Sequence, residues 1–193
     1  MDLELTQDQR MIRELAMRFA ETEIKPRAAA LDATAEHPEE ILRGLADLKM
    51  LGLTVPVEYG GGGMDQVGYV LALMEISKAC ASTGTIMMVN NSLYCAYLTA
   101  FGSDEQKMRY LYPCATGDRL GCHGLAEAEA GSDLSGMQTT ALRDGDEWVI
   151  SGEKRFVTNG GVSSYCVLTA TTDTKKGEEG ISSFVLDLEK ISG

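Results

Sequence analysis

The stretch GDRLGCHGL, residues 117–125, separates two parts of the chain that have different hydrophobic patterns. Before it, apolar residues recur every three or four positions, which is the spacing of amphipathic helices. After it, β-branched and aromatic residues alternate with polar ones between turn residues, as is typical of strands. A helical half followed by a half made of strands predicts an α+β protein with two segregated domains, residues 1–118 and 119–193.

The helical half carries recognisable helix starts. Thr6 with Gln9, and Ser103 with Gln106, have the spacing of capping boxes, and Pro38 suits a first helical position. The predicted apolar stripes are Met11, Ile12, Leu15, Ala16 and Phe19; Ile41, Leu42, Leu45 and Leu48; Val67, Val70, Leu71, Met74, Ile76 and Ala79; and Ile86, Val89, Leu93, Ala96, Tyr97 and Ala100. We expect Asn90 and Asn91 on a helix surface, and the last helix to end before Pro113.

The second half contains five predicted strands, at residues 120–125, 138–143, 147–150, 165–171 and 181–188. Asp144-Gly145 lies between the second and third of these. Because this dipeptide adopts the tight turns that suit hairpins, it predicts an antiparallel pair at that point.

Composition excludes several classes of protein. The 193 residues carry a formal net charge of −12, with acids in excess in both halves, which disfavours a nucleic-acid-binding face or an anionic-membrane patch. No apolar run is long enough to span a bilayer, and acids stand where a secretory signal would be basic, so a cytoplasmic location is expected. The five cysteines include no CxxC, and only two histidines accompany them, so we predict reduced thiols and no metal site.

Two small-residue segments could bind a ligand. LAEAEAGSD, residues 125–133, follows a predicted strand, and its glycine and serine could approach an anionic or heteroaromatic ligand closely. In SGEKRFVTNGG, residues 151–161, Phe156 and Thr158 would share one face of a strand and could hold a planar heterocycle such as flavin. Each segment is equally compatible with an ordinary turn or strand end. Neither a P-loop nor a G-x-G-x-x-G fingerprint is present.

Three motifs together resemble the acyl-CoA dehydrogenase family. They are EYGG at residues 58–61 after Val55-Pro56, LAEAEAGSD at 125–133, and G-x-K-x-FVTNG at 152–160, in the family's order and near its spacing. The resemblance covers essentially the whole chain and implies a helical domain followed by a partial antiparallel β-barrel or sandwich domain. By position, it implies an FAD site at His123, Leu125, Ala126, Gly131, Ser132, Phe156, Val157 and Thr158, with Ser132 also near the acyl-CoA.

The implied reaction is α,β-dehydrogenation of an acyl-CoA thioester, with short-chain substrates favoured. Electrons would leave through an electron-transfer flavoprotein, and the full-length enzyme would be a homotetramer. Members of the family are about twice as long, so the resemblance implies that this chain is part of an enzyme, inactive alone, whose catalytic base lies beyond Gly193.

Two departures from the family pattern bear on the flavin. Ala126 stands where a threonine is usual and Ala128 where a proline is usual, so one hydroxyl that normally bonds the flavin is missing. An acyl-CoA oxidase or a flavin monooxygenase of the same fold remains an alternative, as does a helical interaction module that binds no flavin.

Overall fold

A computed structural model describes residues 4–191, in two compact units that divide between Leu120 and Gly121. We call them the helical unit and the sheet unit. The α-helices of the helical unit are α1 Gln7–Phe19, α2 Lys25–Thr34, α3 Glu39–Asp47, α4 Gln66–Ala79, α5 Ala81–Met88, α6 Ala96–Phe101, α7 Asp104–Gln106 and α8 Tyr112–Thr116. Some of these helices are connected by wider π-helical turns, at Ala20–Ile24, Val89–Cys95 and Lys107–Leu111. Short 3-10 turns lie at Met50–Gly52 and Val57–Tyr59.

Both predicted capping boxes are confirmed. The side chains of Thr6 and Ser103 accept hydrogen bonds from the backbone amides of Gln9 and Gln106, and each glutamine side chain bonds back to the cap residue. Pro38 is the residue that precedes α3 rather than its first residue. These starts were readable because each is a purely local hydrogen-bond pattern.

The predicted buried faces of α1 and α4 were partly wrong. Met11 of α1 and Val67, Val70 and Met74 of α4 are each about half exposed. The buried face of α4 instead carries Gly68, Tyr69, Ala72, Glu75 and Ile76. Small residues let a neighbouring helix approach closely, and the Glu75 carboxylate is held there by Arg13 and Lys78, each at 2.8 Å. A hydrophobicity pattern cannot predict a face that is chosen by close approach and by an ion pair.

Asn90 and Asn91 lie in the core rather than on a helix surface, with exposures of 0% and 1%. Asn91 accepts a hydrogen bond from Leu53 N at 2.7 Å and donates to the carbonyls of Met50 and Met87, both at 2.9 Å. Asn90 donates to the carbonyls of Leu51 and Cys114 at 2.7 and 3.0 Å. Within the segment at residues 50–53, the two side-chain amides therefore satisfy the carbonyls of Met50 and Leu51 and the amide of Leu53.

The final helical segment continues through Pro113 to Thr116, so the predicted end before that proline was wrong. The amide of Tyr112 bonds to the carbonyl of Lys107, five residues back. Pro113 then falls in the first turn of α8, where its missing amide leaves no hydrogen bond unmade.

The sheet unit contains β1 Gly121–Gly124, β2 Thr140–Asp144, β3 Glu147–Ser151, β4 Tyr165–Thr171 and β5 Ile181–Asp187, with a 3-10 segment at Thr174–Gly180. β4 is central: it pairs antiparallel with β5 along one edge and parallel with β1, Cys122 opposite Cys166, along the other. The predicted hairpin is confirmed, since β2 and β3 pair antiparallel across a turn in which Gly145 has φ +61°.

The helical-then-sheet fold is confirmed, but the sheet is mixed rather than wholly antiparallel. Besides β1, β2 also joins β4 in parallel, through Thr140 opposite Thr171. Because β1 and β2 run parallel to β4 along one edge and β3 pairs antiparallel with β2, the segments that follow β1, precede β2 and follow β3 all lie towards the carboxyl end of β4. Within residues 4–191, no helix is long and apolar enough to cross a membrane.

Candidate functional site

Two loops of the sheet unit carry all but one of the predicted site residues. Loop A, residues 125–139, connects β1 to β2, and loop B, residues 152–164, connects β3 to β4. His123 lies on β1 itself. The loops are joined directly, because the amide of Arg155 donates to the carbonyl of Ala126 at 2.8 Å. The structure thus brings together two segments that are about thirty residues apart in sequence.

A buried ion pair forms the second link between the loops. Lys154 Nζ of loop B lies 2.6 Å from Glu127 Oε1 of loop A, and the two side chains are 7% and 6% exposed. The same ammonium donates to the carbonyl of Leu125 at 3.1 Å. The Glu127 carboxylate also accepts the amides of Gln138 and Thr139 at 2.7 and 3.0 Å. Burial opposes ionisation of Glu127, but these donors outweigh it and lower its pKa to about 2.

Loop A presents small residues to solvent at its tip. Its base closes through the amide of Glu127, which donates to the carbonyl of Ala130 at 2.8 Å, and Ala130 is buried. Gly131 and Ser132 beyond it are exposed, and a Cβ at Gly131 would meet nothing within 4 Å. The backbone at the tip is therefore open to close approach by a ligand.

Loop B is a turn and not a strand, so the prediction that Phe156 and Thr158 share a strand face was wrong. Phe156 has φ +54° and its ring is 94% exposed, while Val157 and Thr158 are partly buried. The amide of Thr158 bonds to the carbonyl of Phe156 at 3.1 Å, and Asn159 also has a positive φ, +67°. Such conformations cost about 1–3 kcal/mol at non-glycine residues and cluster at ligand sites.

His123 contributes a partly buried imidazole beside these loops. Burial lowers its pKa, and the positive charge of Lys154 lowers it further. The ring is therefore neutral at physiological pH and is chemically an aromatic with polar edges.

The Glu127 ion pair makes the stability of the sheet unit depend on pH in the acidic range. Its pKa of about 2 lies below the ordinary 4.5, so its contribution to stability is fully present above pH 4.5. That contribution is lost as the pH falls towards 2, because protonation then favours the unfolded chain. We expect the free energy of unfolding to fall more steeply over this range in the wild-type chain than in Glu127→Gln.

The single tryptophan, Trp148, lies on β3 against Phe184 of β5, so its fluorescence reports the sheet unit. Urea titrations followed by this fluorescence at several pH values give the free energy of unfolding against pH for the wild-type chain and for Glu127→Gln. If Glu127→Gln is unfolded at neutral pH, the Glu127→Gln/Lys154→Met double variant takes its place. Parallel profiles would show that Glu127 does not titrate with a depressed pKa.

Family comparisons agree with the order of these elements. Residues 6–118 match the family model for the acyl-CoA dehydrogenase N-terminal domain, and residues 122–192 match that for its middle domain. The chain belongs to the acyl-CoA dehydrogenase family. The resemblance stated from the three motifs is thereby confirmed.

The chain is similar to several longer proteins. A short-chain-specific acyl-CoA dehydrogenase of Clostridium acetobutylicum is 42% identical over 97% of this chain and 49% of its own length. The structure of butyryl-CoA dehydrogenase from Megasphaera elsdenii superimposes with a TM-score of 0.91 at 34% identity, over 97% of this chain and 50% of that one.

A glutaryl-CoA dehydrogenase from Mycobacterium smegmatis, in complex with FADH2, has a TM-score of 0.88 at 33% identity and covers 96% of this chain and 46% of its own. The chain thus spans about half the length of the relatives that it matches.

Sequence reasoning missed the pairing of Lys154 with Glu127. Both residues lie within the quoted motifs, but 27 positions separate them. A lysine and a glutamate in separate loops give no periodic signal, so only the tertiary structure reveals the pair. The sequence features that could have suggested it are the Gly-x-Lys that directly follows β3 and the glutamate three residues after the end of β1.

Proposed function

We propose that this chain is the FAD-binding half of an enzyme that dehydrogenates short-chain acyl-CoA thioesters between the α and β carbons. The observation that carries the proposal is the juxtaposition of loops A and B, through the Arg155 to Ala126 hydrogen bond and the Lys154–Glu127 ion pair. The short-chain and butyryl-CoA relatives support the substrate class, and the neighbour that holds FADH2 supports the cofactor.

The residues present fit a flat, anionic cofactor. A Cβ at Gly131 or at Gly161 would meet nothing within 4 Å, so the backbone at both positions is open to a ring or a phosphate. The ring of Phe156 projects from loop B with 94% of its surface exposed, and burial of that apolar surface would favour binding. The exposed hydroxyl of Ser132 is free to reach a phosphate or the acyl-CoA.

FAD, when bound, would accept the hydride that leaves the β carbon. In this proposal, Leu125, Ala126, Gly131 and Ser132 line the cofactor from loop A, Val157 lines it from loop B, and His123 lies beside it. Phe156 covers one face of the ring system, and the hydroxyl of Thr158 donates a hydrogen bond to its polar edge. Each of these groups binds or orients, and none of them removes the α proton.

Neither Glu127 nor Glu129 of loop A is suited to remove that proton. Glu127 is buried against Lys154 with a pKa of about 2, so it is a very weak base. Glu129 is exposed at the loop surface. We propose that the base comes from outside the residues present here, as do the contacts of a homotetramer, and that an electron-transfer flavoprotein takes the electrons in the cytoplasm.

Flavin binding by the purified chain tests the proposal. We expect FAD added to the chain to lose fluorescence on binding and to remain with the protein through gel filtration, with the visible absorbance bands of oxidised flavin. A chain that is folded by circular dichroism and by Trp148 fluorescence, yet binds no FAD at any concentration tested, would contradict the proposed function.

Thr158→Ala tests whether the Thr158 hydroxyl contacts the cofactor as proposed. Removal of one hydrogen bond corresponds to about 0.5–1.5 kcal/mol, so we expect the dissociation constant for FAD to rise about two- to tenfold. The matched control is Thr172→Ala, because the Thr172 hydroxyl bonds to the carbonyl of Gly180 at 3.0 Å, away from both loops. An unchanged affinity in Thr158→Ala would mean that this hydroxyl does not contact the cofactor.

A further inference from the structure

The Lys154–Glu127 ion pair differs from the other ion pairs of the sheet unit. Both of its side chains are at most 7% exposed, whereas the Arg155–Glu153 pair has exposures of 53% and 76%. Withdrawal of two charges from water is unfavourable unless the geometry and the additional hydrogen bonds are good. A pair of this kind is therefore weak evidence for stability alone, and its position between two loops indicates another role.

The contacts of the pair tie three chain segments together. Lys154 reaches the carbonyl of Leu125 at the start of loop A, and Glu127 receives the amides of Gln138 and Thr139 at its end. The ion pair itself connects both points to loop B. Because the Glu127 carboxylate already has three donors, it has little freedom to rotate.

We infer that Lys154 and Glu127 are positioning residues that fix loop A and loop B in the relative geometry that FAD requires. This inference rests on the proposed function for its ligand. Neither residue needs to contact the cofactor. Lys154 lies two residues before Phe156, so its position affects where Phe156 and Thr158 lie. Glu127 directly follows Ala126, so its position affects where Ala126 lies. A misplacement of about 1 Å can lower a catalytic rate about 100-fold, and we expect the affinity for FAD to fall as well when the two loops move apart.

The test compares four variants of the chain: Lys154→Met, Glu127→Gln, the double variant, and Lys190→Met. The last is the matched control, because Lys190 is an exposed lysine that pairs with Asp187 of the same unit at 2.8 Å. Each single variant at the buried pair leaves one buried charge without its oppositely charged partner. The double variant removes both charges, and such neutral replacements often restore stability. Trp148 fluorescence during urea unfolding measures the stability of each.

The first readout needs no FAD. Amide hydrogen exchange at Arg155, Gln138 and Thr139 reports whether the loops stay joined, and exchange at Val167 of β4 reports the sheet. In Lys154→Met and in the double variant we expect exchange at the three loop amides to accelerate about tenfold or more, with no change at Val167. Unchanged loop exchange in a folded variant would overturn the positioning role, whether or not FAD binds.

The second readout is the affinity for FAD. If the pair serves only stability, the double variant recovers both stability and affinity. If the pair positions the loops, the double variant recovers stability while its dissociation constant for FAD stays at least about tenfold above that of Lys190→Met. A wild-type chain that fails to bind FAD would contradict the proposed function, and loop exchange would then still decide the positioning role.

Should a single variant fail to fold, the double variant decides both readouts. Recovery of wild-type exchange and wild-type affinity in that double variant would overturn the inference.

Discussion

Replacement of Asn91 by leucine is expected to lower the free energy of unfolding of the helical unit by about 3 kcal/mol. The Asn91 side chain is 1% exposed and makes three hydrogen bonds, to Leu53 N, Met50 O and Met87 O. Leucine would leave the Leu53 amide and the Met50 carbonyl buried without partners. Each such group costs about 1–3 kcal/mol, which a gain in apolar contact offsets only in part.

Urea unfolding followed by far-ultraviolet circular dichroism measures this effect, since that signal is dominated by the helices. Gln66→Leu is the matched control, because it exchanges an amide for leucine at an exposed position of α4 in the same unit. We expect the control to change stability by less than about 0.5 kcal/mol. Equal stability of Asn91→Leu and the wild-type chain would show that the segment at residues 50–53 does not depend on this side chain.

Gly152→Ala is expected to destabilise the sheet unit by about 3 kcal/mol and to abolish measurable FAD binding. A Cβ at this position would lie 2.4 Å from Thr139 Oγ1 and 2.6 Å from Thr139 Cα. Thr139 is only 2% exposed and cannot move easily, because its amide bonds to Glu127 and its carbonyl accepts the amide of Thr171. Relief of the clash would therefore pull loop B away from loop A.

Gly145→Ala is the matched control, because it has the backbone strain of a positive φ without the steric clash that is expected in Gly152→Ala. Gly145 has φ +61°, but a Cβ there would meet nothing within 4 Å, so only a conformational cost of about 1 kcal/mol is expected. Trp148 fluorescence in urea gives the stability of both variants, and quenching of FAD fluorescence gives their affinity. Equal losses of stability in the two variants would show that an alanine Cβ at position 152 does not clash with Thr139.

The sequence predicted best what depends on neighbouring residues alone. The capping boxes at Thr6 and Ser103 and the hairpin turn at Gly145 each close within four residues, and each was found where it was predicted. The switch of hydrophobic period near residue 118 likewise predicted helices followed by strands. The family resemblance rests on three short motifs, and their order and spacing can be read from this one sequence without an alignment.

Predictions failed where a distant contact overrides the local pattern. α4 buries Gly68 and Ala72 and exposes Val67 and Val70, because close approach and the Glu75 ion pairs outweigh hydrophobicity on that helix. The spacing of Phe156 and Thr158 predicts a shared strand face, but loop B turns at Phe156 with a positive φ. Within residues 4–191, no strand pairs with Phe156 to hold it extended.

The sequence alone thus determined the fold class, the two helix starts at Thr6 and Ser103, and the two segments that carry the proposed site. The tertiary structure decided how those segments meet. The Lys154–Glu127 pair and the Arg155 to Ala126 hydrogen bond exist only because β4 draws β1 and β2 to one edge. Hydrophobic period is a property of consecutive residues, whereas the partner of a buried charge is chosen by which chain segments the sheet places side by side.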